Sequence, residues 1–403
     1  MRVLTFTSLF PNSRAPNFGI FLLQRALNFA SSTGNQVEVV APLPYSPAFL
    51  RRTAFGEMVS VPALEEISSL LVHHPRYPLV PKISMPLHGM LMYVGCCGLV
   101  RYLHRQKPFD CIDAHYVFPD GLAAVLIGRT LGIPVTLTAR GTDIHTFPSF
   151  RAIRPQIRWA LRHADGVAAV AQSLSRIMLQ LEPAVGRVEV IGNGVDGRRF
   201  FPEDRREARR ELGLREEEKV IVNVAALRPV KGPDLLLNAL AKLQERLREW
   251  RVLFVGKGPE LSRLKSLASS LGLAGKVDFV GLIDNDRLRY YYSAADVSCL
   301  ASRNEGWPNV LLESLACGTP VVATRVGAVP DLLQEPGLGV LVDATPDSLS
   351  DGLHLALTRI WDPGRLVECA RRHTWDRVAL QTAEFLKSAI SQKAAAGHTA
   401  SIA

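Results

Sequence analysis

Residues 301–324 read ASRNEGWPNVLLESLACGTPVVAT, and their pattern sets the fold class of the chain. Pro308 fixes a helix start, because proline is tolerated in a first helical turn and clashes deeper inside. Leu311, Leu312, Leu315 and Ala316 then recur at helical spacing. Cys317, Gly318, Thr319 and Pro320 stop that helix before an apolar strand at 321–323. A helix passed through a Gly-Pro stop into such a strand is half of an α/β unit. Two carboxylates lie in the same stretch: Glu305, in a loop with Gly306 and Trp307, and Glu313 on the helix.

The spacing has a chemical meaning. Eight positions along an ideal helix turn about 800°, which would leave Glu313 about 80° from a residue eight before it. Glu305 precedes the helix, so the loop can bring both carboxylates to one mouth. The first-turn amides near Asn309 and Val310 point into that mouth, and a helix N-terminus attracts anions. A ligand offering hydroxyls to the carboxylates and phosphate to the amides fits: a nucleotide-sugar. The plainer alternative is a capping box of Ser302 and Glu305, with Glu313 a solvated helix residue. Pro308 argues against a helix that begins as early as Ser302.

Outward from this stretch, 403 residues predict two or three domains, each with its own core. With 47% hydrophobic and 21% charged residues the composition is that of an ordinary globular protein. The six cysteines show no paired metal-site spacing and lie in apolar runs, which predicts reduced, buried thiols and a cytosolic setting. The first residues, MRVLTFTSLFPNSR, do not read as a cleavable signal, because Pro11, Asn12 and Arg14 interrupt the apolar run.

Charge is uneven. Residues 1–200 hold 20 Lys and Arg against 12 Asp and Glu, and the remainder holds 27 against 26. A basic first half suits nucleic acid, anionic lipid or a phosphorylated acceptor. The arginines are dispersed rather than clustered with aromatics, so nucleic acid is not expected. The segment MPLHGMLMYVGCCGLVRYL, residues 85–103, is flanked by Lys82, Arg101, Arg105 and Lys107. It is shorter than the about 20 apolar residues a crossing needs. Lying in a membrane interface with basic ends on head groups is one reading; a buried helix of the first domain is the other.

Alternating strand and helix patterns fill both halves. The first half predicts strands at 3–6, 37–40, 111–113, 135–138, 167–170 and 188–191, with helices at 19–30 and 120–131. A turn-rich link at 193–196 and a charged helix at 203–212 follow. The second half predicts strands at 220–224, 252–255, 277–280 and 297–300, separated by helices at 234–248, 260–271 and 286–294. Two doubly wound domains are expected, 1–195 and 196–374, facing a central cleft at the carboxyl ends of strands. A last helix is expected at 375–392 and a disordered tail at 393–403. No internal repeat is visible.

The stretch at 301–324, with its continuation GTPVVATRVGAVPDLL at 318–333, resembles the signature of the family-four retaining glycosyltransferases of the GT-B fold. In that family a Glu, seven residues and a Glu hold the donor sugar, and the resemblance extends over most of the chain. It implies that the final helix crosses back to the first domain. It also implies that Lys231 and Gly232, in AALRPVKGPDLLL at 225–237, follow the family's Lys-Gly, where the lysine meets the leaving diphosphate. Fixed cations and amides there would stabilise the charge that develops on the phosphate. The family's arginine commonly lies five residues before that lysine, where this chain has Ala226; Arg228 is a substitute in a different register. Gly256 and Gly258, in VGKGPE, resemble the family's glycine turn beside the nucleotide, and Leu282, in FVGL, lies where relatives present backbone to the base. Gly19 matches the glycine whose amide lies by the donor phosphates. With no Asp-x-Asp placed to hold a metal, and no cofactor implied, metal independence is expected.

On the acceptor side, DAHYVFPDG at 113–121 resembles the stretch lining the acceptor cleft, with His115 as a contact. In TARGTD at 138–143, Arg140 stands where many relatives have histidine. An arginine stays charged and only donates hydrogen bonds, so it can hold a sugar or anion and cannot act as base. Asp143 and His145 are the nearest titratable groups, and a structural Arg140–Asp143 pair is the rival reading. The resemblance implies a retaining transferase in cell-surface polysaccharide assembly, peripheral at the inner face of the cytoplasmic membrane. Its donor would be a nucleotide-diphosphate sugar, its acceptor a glycan or lipid-linked. The acceptor would attack from the face of the departing phosphate, and a phosphate oxygen would take its proton. An epimerase or phosphorylase of the same fold, or a non-catalytic partner subunit, stays open.

Overall fold

Short runs of β-branched and apolar residues become strands wherever both faces are covered, and that rule builds two sheets. The computed structural model describes residues 1–45, 60–79 and 84–402, and side chains of the last helix as far as residue 395. Lys82 and Ala403 lie outside the described residues. Contacts divide the chain into two units: Met1–Asn193 with Trp375–Ala403, and Gly194–Thr374. The first unit reclaims the end of the chain.

In the first unit, β1 (Arg2–Phe6) lies at the centre of the sheet. After it come β2 (Gln36–Val40), β3 (Leu43–Tyr45), β4 (Leu64–Ile67), β5 (Leu70–His73) and β6 (Arg76–Pro78). Then follow β7 (Cys111–His115), β8 (Val135–Ala139), β9 (Gly166–Ala169) and β10 (Glu189–Val190). Eight of these form one sheet in the order β10-β9-β8-β7-β1-β2-β5-β4, parallel except for the β4/β5 edge; β3 and β6 pair separately. The helix Trp375–Ile402 packs its Ala379, Ala383 and Leu386 against Val3, Phe29 and Cys111. The helix packs tightly on Gly166, where a Cβ would meet the Phe385 and Ala389 side chains at 3.1 Å. That helix continues to Ile402, through residues expected to be a tail.

In the second unit, β11 (Lys219–Val224), β12 (Trp250–Val255), β13 (Val277–Gly281), β14 (Val297–Leu300), β15 (Val321–Thr324) and β16 (Gly339–Val342) are all parallel, in the order β13-β12-β11-β14-β15-β16. This is the doubly wound order, whose ligands sit at the carboxyl ends of the strands, where the winding reverses between β11 and β14. Val195, 4% exposed, packs in this unit's core and its amide bonds the His373 carbonyl. That places the boundary at Asn193, two residues before the expected one. The helix expected at 234–248 ends at Leu243, because the chain must turn to enter β12 at Trp250. All six thiols are free and buried. Among the described residues no helix is long and apolar enough to cross a membrane.

Candidate functional site

At the carboxyl end of β14 the chain enters the loop that carries Glu305, and the helix after it spans Asn309–Ala316. Pro308 is its N-cap and has no side-chain group to offer the first turn, which holds no acid. Its Leu311, Leu312 and Leu315, each 1% exposed or less, bury the opposite face, worth roughly 1.5–3 kcal/mol per side chain. Packing behind the helix therefore fixes the direction of its amide end.

Glu305 is 7% exposed and fixed from two sides. The Lys231 ammonium donates to its Oε1 at 2.7 Å, and the Ser302 hydroxyl donates to the same oxygen at 2.6 Å. Both contacts fall on Oε1, so Oε2 is not engaged by either. The capping-box alternative fails, because Ser302 lies six residues ahead of the Pro308 cap and its hydroxyl bonds the carboxylate. Thr324 in turn donates to the Ser302 carbonyl at 2.5 Å.

Close backbone contact brings Lys231 to Glu305. The Arg303 amide bonds the Val230 carbonyl at 2.8 Å, and the Arg303 guanidinium forks onto both Asp234 oxygens at 2.8 Å. Gly232 has φ +62°, and a Cβ there would lie 2.0 Å from the Ala301 carbonyl oxygen. Gly327 has φ +55°, and a Cβ there would lie 1.9 Å from the Glu305 carbonyl oxygen. Gly256 and Gly258 press on Ala225 and Leu227 in the same way, at 2.0 and 2.1 Å. Leu282, 58% exposed, follows the β13 end, while Gly306, Asn309 and Val310 are half-buried at the loop and helix start. Arg228 is exposed and carries no side-chain partner among the described residues.

Glu313 lies on the same helix and accepts from the Tyr292 hydroxyl at 2.9 Å. Burial pushes its carboxyl up to about 7. Tyr292, fully buried, comes from the Leu288–Ala294 helix. Nothing in the spacing of the signature pointed to Tyr292, nor to Ser302 as a partner of Glu305 rather than a cap.

The acceptor-side residues assemble in the first unit as a buried network. Arg140 donates through Nη2 to His115 Nδ1 and through Nη1 to Asn193 Oδ1, both at 2.9 Å, with its guanidinium 5.6 Å over the Phe21 ring. His115 Nδ1 therefore accepts, which leaves Nε2–H to face Asp113 Oδ2 at 3.3 Å. Burial pushes the imidazole down to about 4, so it is neutral. Asp143 is 0% exposed and accepts from the amides of Val117, Arg140 and Gly141 at 2.8–3.1 Å. The expected Arg140–Asp143 pair is thus an amide staple, not an ion pair. As placed, Asp143 and His115 have their polar atoms engaged internally; Arg140 keeps its Nε without a partner. Gly19 opens the Ile20–Thr33 helix at φ +66°, with no room for a Cβ, which would lie 2.2 Å from the Leu9 carbonyl oxygen. Asp120, absent from the expected site, anchors the start of that loop by accepting from the Ser8 amide and hydroxyl.

Two doubly wound units in one chain, the second carrying Glu305 and Glu313 on the loop and helix after β14, make the GT-B fold. The profile described as Glycosyl transferases group 1 matches residues 204–372, and that described as Glycosyltransferase Family 4 matches 23–199. The D-inositol 3-phosphate glycosyltransferase of Rhodococcus jostii (strain RHA1) is 38% identical over 400 residues, covering 91% of this chain and 83% of that one. TuaC of Bacillus subtilis (strain 168), a glycosyltransferase assigned to teichuronic acid biosynthesis, is 28% identical over 374 residues, 90% of this chain and 91% of that one. The N-acetyl-alpha-D-glucosaminyl L-malate synthase of Bacillus anthracis is 30% identical over 241 residues, which span 59% of this chain and 62% of that one. Among solved structures, Anabaena HepE in complex with UDP-glucose superposes with TM-score 0.68 at 20% identity, covering 96% of this chain and 99% of that one. The chain belongs to the family 4, group 1 glycosyltransferases and has their GT-B fold.

Proposed function

We propose that this protein is a retaining glycosyltransferase that moves a sugar from a nucleotide-diphosphate sugar to a lipid-linked or polysaccharide acceptor. The observation that carries the reading is the Glu305 carboxylate, fixed through one oxygen by Lys231 and Ser302 in the loop that leads into the Asn309–Ala316 helix. Its other oxygen takes the sugar hydroxyls next to the reacting carbon. Lys231, Arg228 and the amides at Asn309 and Val310 take the diphosphate. Glu313 takes the ribose, and backbone at Gly256, Gly258 and Leu282 lies along the nucleotide. Arg140 is the acceptor contact, with His115 and Asp143 holding its loop.

In this scheme the acceptor hydroxyl attacks from the face of the departing phosphate and a phosphate oxygen takes its proton. Charge developing on that phosphate is met by fixed donors that need no reorganisation. The diphosphate rests on amides and cations, so transfer is metal-independent in this reading. Likeness to TuaC supports a polysaccharide acceptor, and the UDP-glucose bound by HepE supports a nucleotide-sugar donor. The setting is the inner face of the membrane, against anionic lipid.

The test is a thermal-shift screen with uridine, guanosine and adenosine diphosphate sugars, followed by transfer with the donor that binds. Glu305→Ala and Lys231→Ala should each lower turnover roughly 10²–10³-fold, and a chelator should change nothing. Near-normal transfer in both variants removes the reading. Conversion of the donor without any acceptor would instead indicate an epimerase.

A further inference from the structure

The ammonium closest to the sugar-holding carboxylate is already spoken for. Lys231 sits 2.7 Å from Glu305, so an approaching diphosphate meets a pair whose charges largely cancel. Most basic side chains around the same loops are also paired, Arg303 to Asp234 and Arg263 to Glu260. Arg228 is one exception, and Lys257 is another. It is exposed, at the tip of the turn after β12, with no ion pair or side-chain hydrogen bond among the described residues.

Its backbone position is fixed against the Lys231 loop. The Leu227 amide bonds the Lys257 carbonyl at 3.0 Å, and the Glu260 amide bonds the Leu227 carbonyl at 3.2 Å. On either side, Gly256 and Gly258 come so close to Ala225 and Leu227 that no side chain fits. Lys257 is therefore clamped beside Ala226, an exposed residue whose one-carbon side chain leaves the neighbouring space open. A long, unpaired cation stands next to a position too short to carry one.

We infer that Lys257 reaches over Ala226 and supplies a second cation to the diphosphate of the donor. The inference rests on the donor-site reading above. The Lys257 ammonium contributes to binding the phosphate furthest from the nucleoside and to stabilising it as it leaves, beside Lys231, whose charge is shared with Glu305. A solvated lysine on a surface turn would do neither.

Calorimetric titration of the full chain with UDP, GDP and ADP identifies the tightest diphosphate, and the variants are compared on it at low salt. Lys257→Ala should weaken that diphosphate about tenfold, should weaken the matching monophosphate far less, and should flatten the dependence of Kd on salt. Lys265→Ala, which removes an exposed charge from the adjoining helix, should leave Kd unchanged. Adding Ala226→Arg to Lys257→Ala should restore most of the lost affinity, which a merely structural role for Lys257 would not allow. Affinity within twofold of wild type in Lys257→Ala overturns the inference, as does an equal loss in Lys265→Ala. Should wild type bind none of the three diphosphates, the donor-site reading fails first and takes this one with it.

Discussion

Glu313 is a carboxyl whose ordinary value near 4.5 is raised to about 7 by burial, with the Tyr292 hydroxyl and the charge of Arg199 pulling the other way. The folded state thus holds a proton that the unfolded chain releases. Stability from this group is complete below about 4.5 and is lost as pH rises through about 7. A ribose that donates two hydroxyls needs the ionised form, so donor binding should strengthen from pH 6 to 8 and release protons when titrated below 7. Glu313→Gln should abolish that pH dependence, bind the donor more weakly at pH 8, and unfold at a higher temperature than wild type at pH 8 but not at pH 5. Titration in buffers of different ionisation enthalpy reads the proton release directly; an unchanged pH profile in the variant would count against the ribose role. Charged residues at fixed spacing were legible because their chemistry is local: Glu305, Glu313 and Lys231 are named by the sequence alone. Tyr292 was not, since it reaches Glu313 from another helix 21 positions away. His115 and Arg140 were legible as neighbours of one strand end, but not as partners of each other. Their mutual hydrogen bond depends on β7 and β8 lying side by side.

At the scale of elements, the candidate site is a set of loops leaving parallel strands, held together by glycine close contacts as well as by side-chain pairs such as Arg303 with Asp234. Gly327 shows this most sharply, because its positive φ and its contact with the Glu305 backbone forbid a Cβ on two separate counts. The left-handed conformation alone costs a non-glycine residue roughly 1–2 kcal/mol, and the clash must be relieved by moving the Glu305 loop. Gly327→Ala should therefore weaken donor binding more than tenfold and lower the melting temperature by several degrees. Gly272→Ala, at φ +71° with nothing near its Cβ, should cost stability alone. Equal donor affinities in the two variants, measured by titration, would show that the contact with Glu305 does not matter. The strands of the second unit were readable as runs of Val, Ile and Leu because parallel strands covered on both faces carry no polar alternation. The edge at β3 to β6 was not. Its strands are three or four residues long, and β4, Leu-Glu-Glu-Ile, has neither a continuous apolar run nor strict alternation. The end of the final helix was misjudged from composition: Ala-rich residues after 393 favour helix as readily as a tail.

Over the molecule as a whole, the positive excess of the first half gathers on helices of the first unit. The helices His88–Gln106, Leu122–Leu131 and Arg154–His163 contain no Asp or Glu. They are tied side by side: Tyr93 bonds Thr130, Arg129 lies 6.0 Å over the Trp159 ring, and Gln156 donates to the Pro86 carbonyl. Arg158 and Arg162 are paired with Glu182, whereas Arg101 and Arg105 are exposed beside the apolar stripe. The helix of residues 88–106 has a buried face, as the buried-helix reading of 85–103 has it, and an exposed apolar one. Met92, Cys96 and Val100 are buried, while Leu87, Met90, Val94 and Tyr102 are 46–67% exposed. Exposed apolar side chains beside unpaired arginines suit anionic lipid, where each basic residue near the surface contributes about 1 kcal/mol. The full chain should co-sediment with vesicles containing about one-third phosphatidylglycerol and not with neutral ones. Half a molar salt should release most of it, because the Debye length falls to a few ångströms there. Met90→Glu with Val94→Glu should weaken vesicle binding at least tenfold while leaving the melting temperature and donor affinity unchanged. Retention on anionic vesicles by that double variant would place the lipid-facing surface elsewhere on the protein.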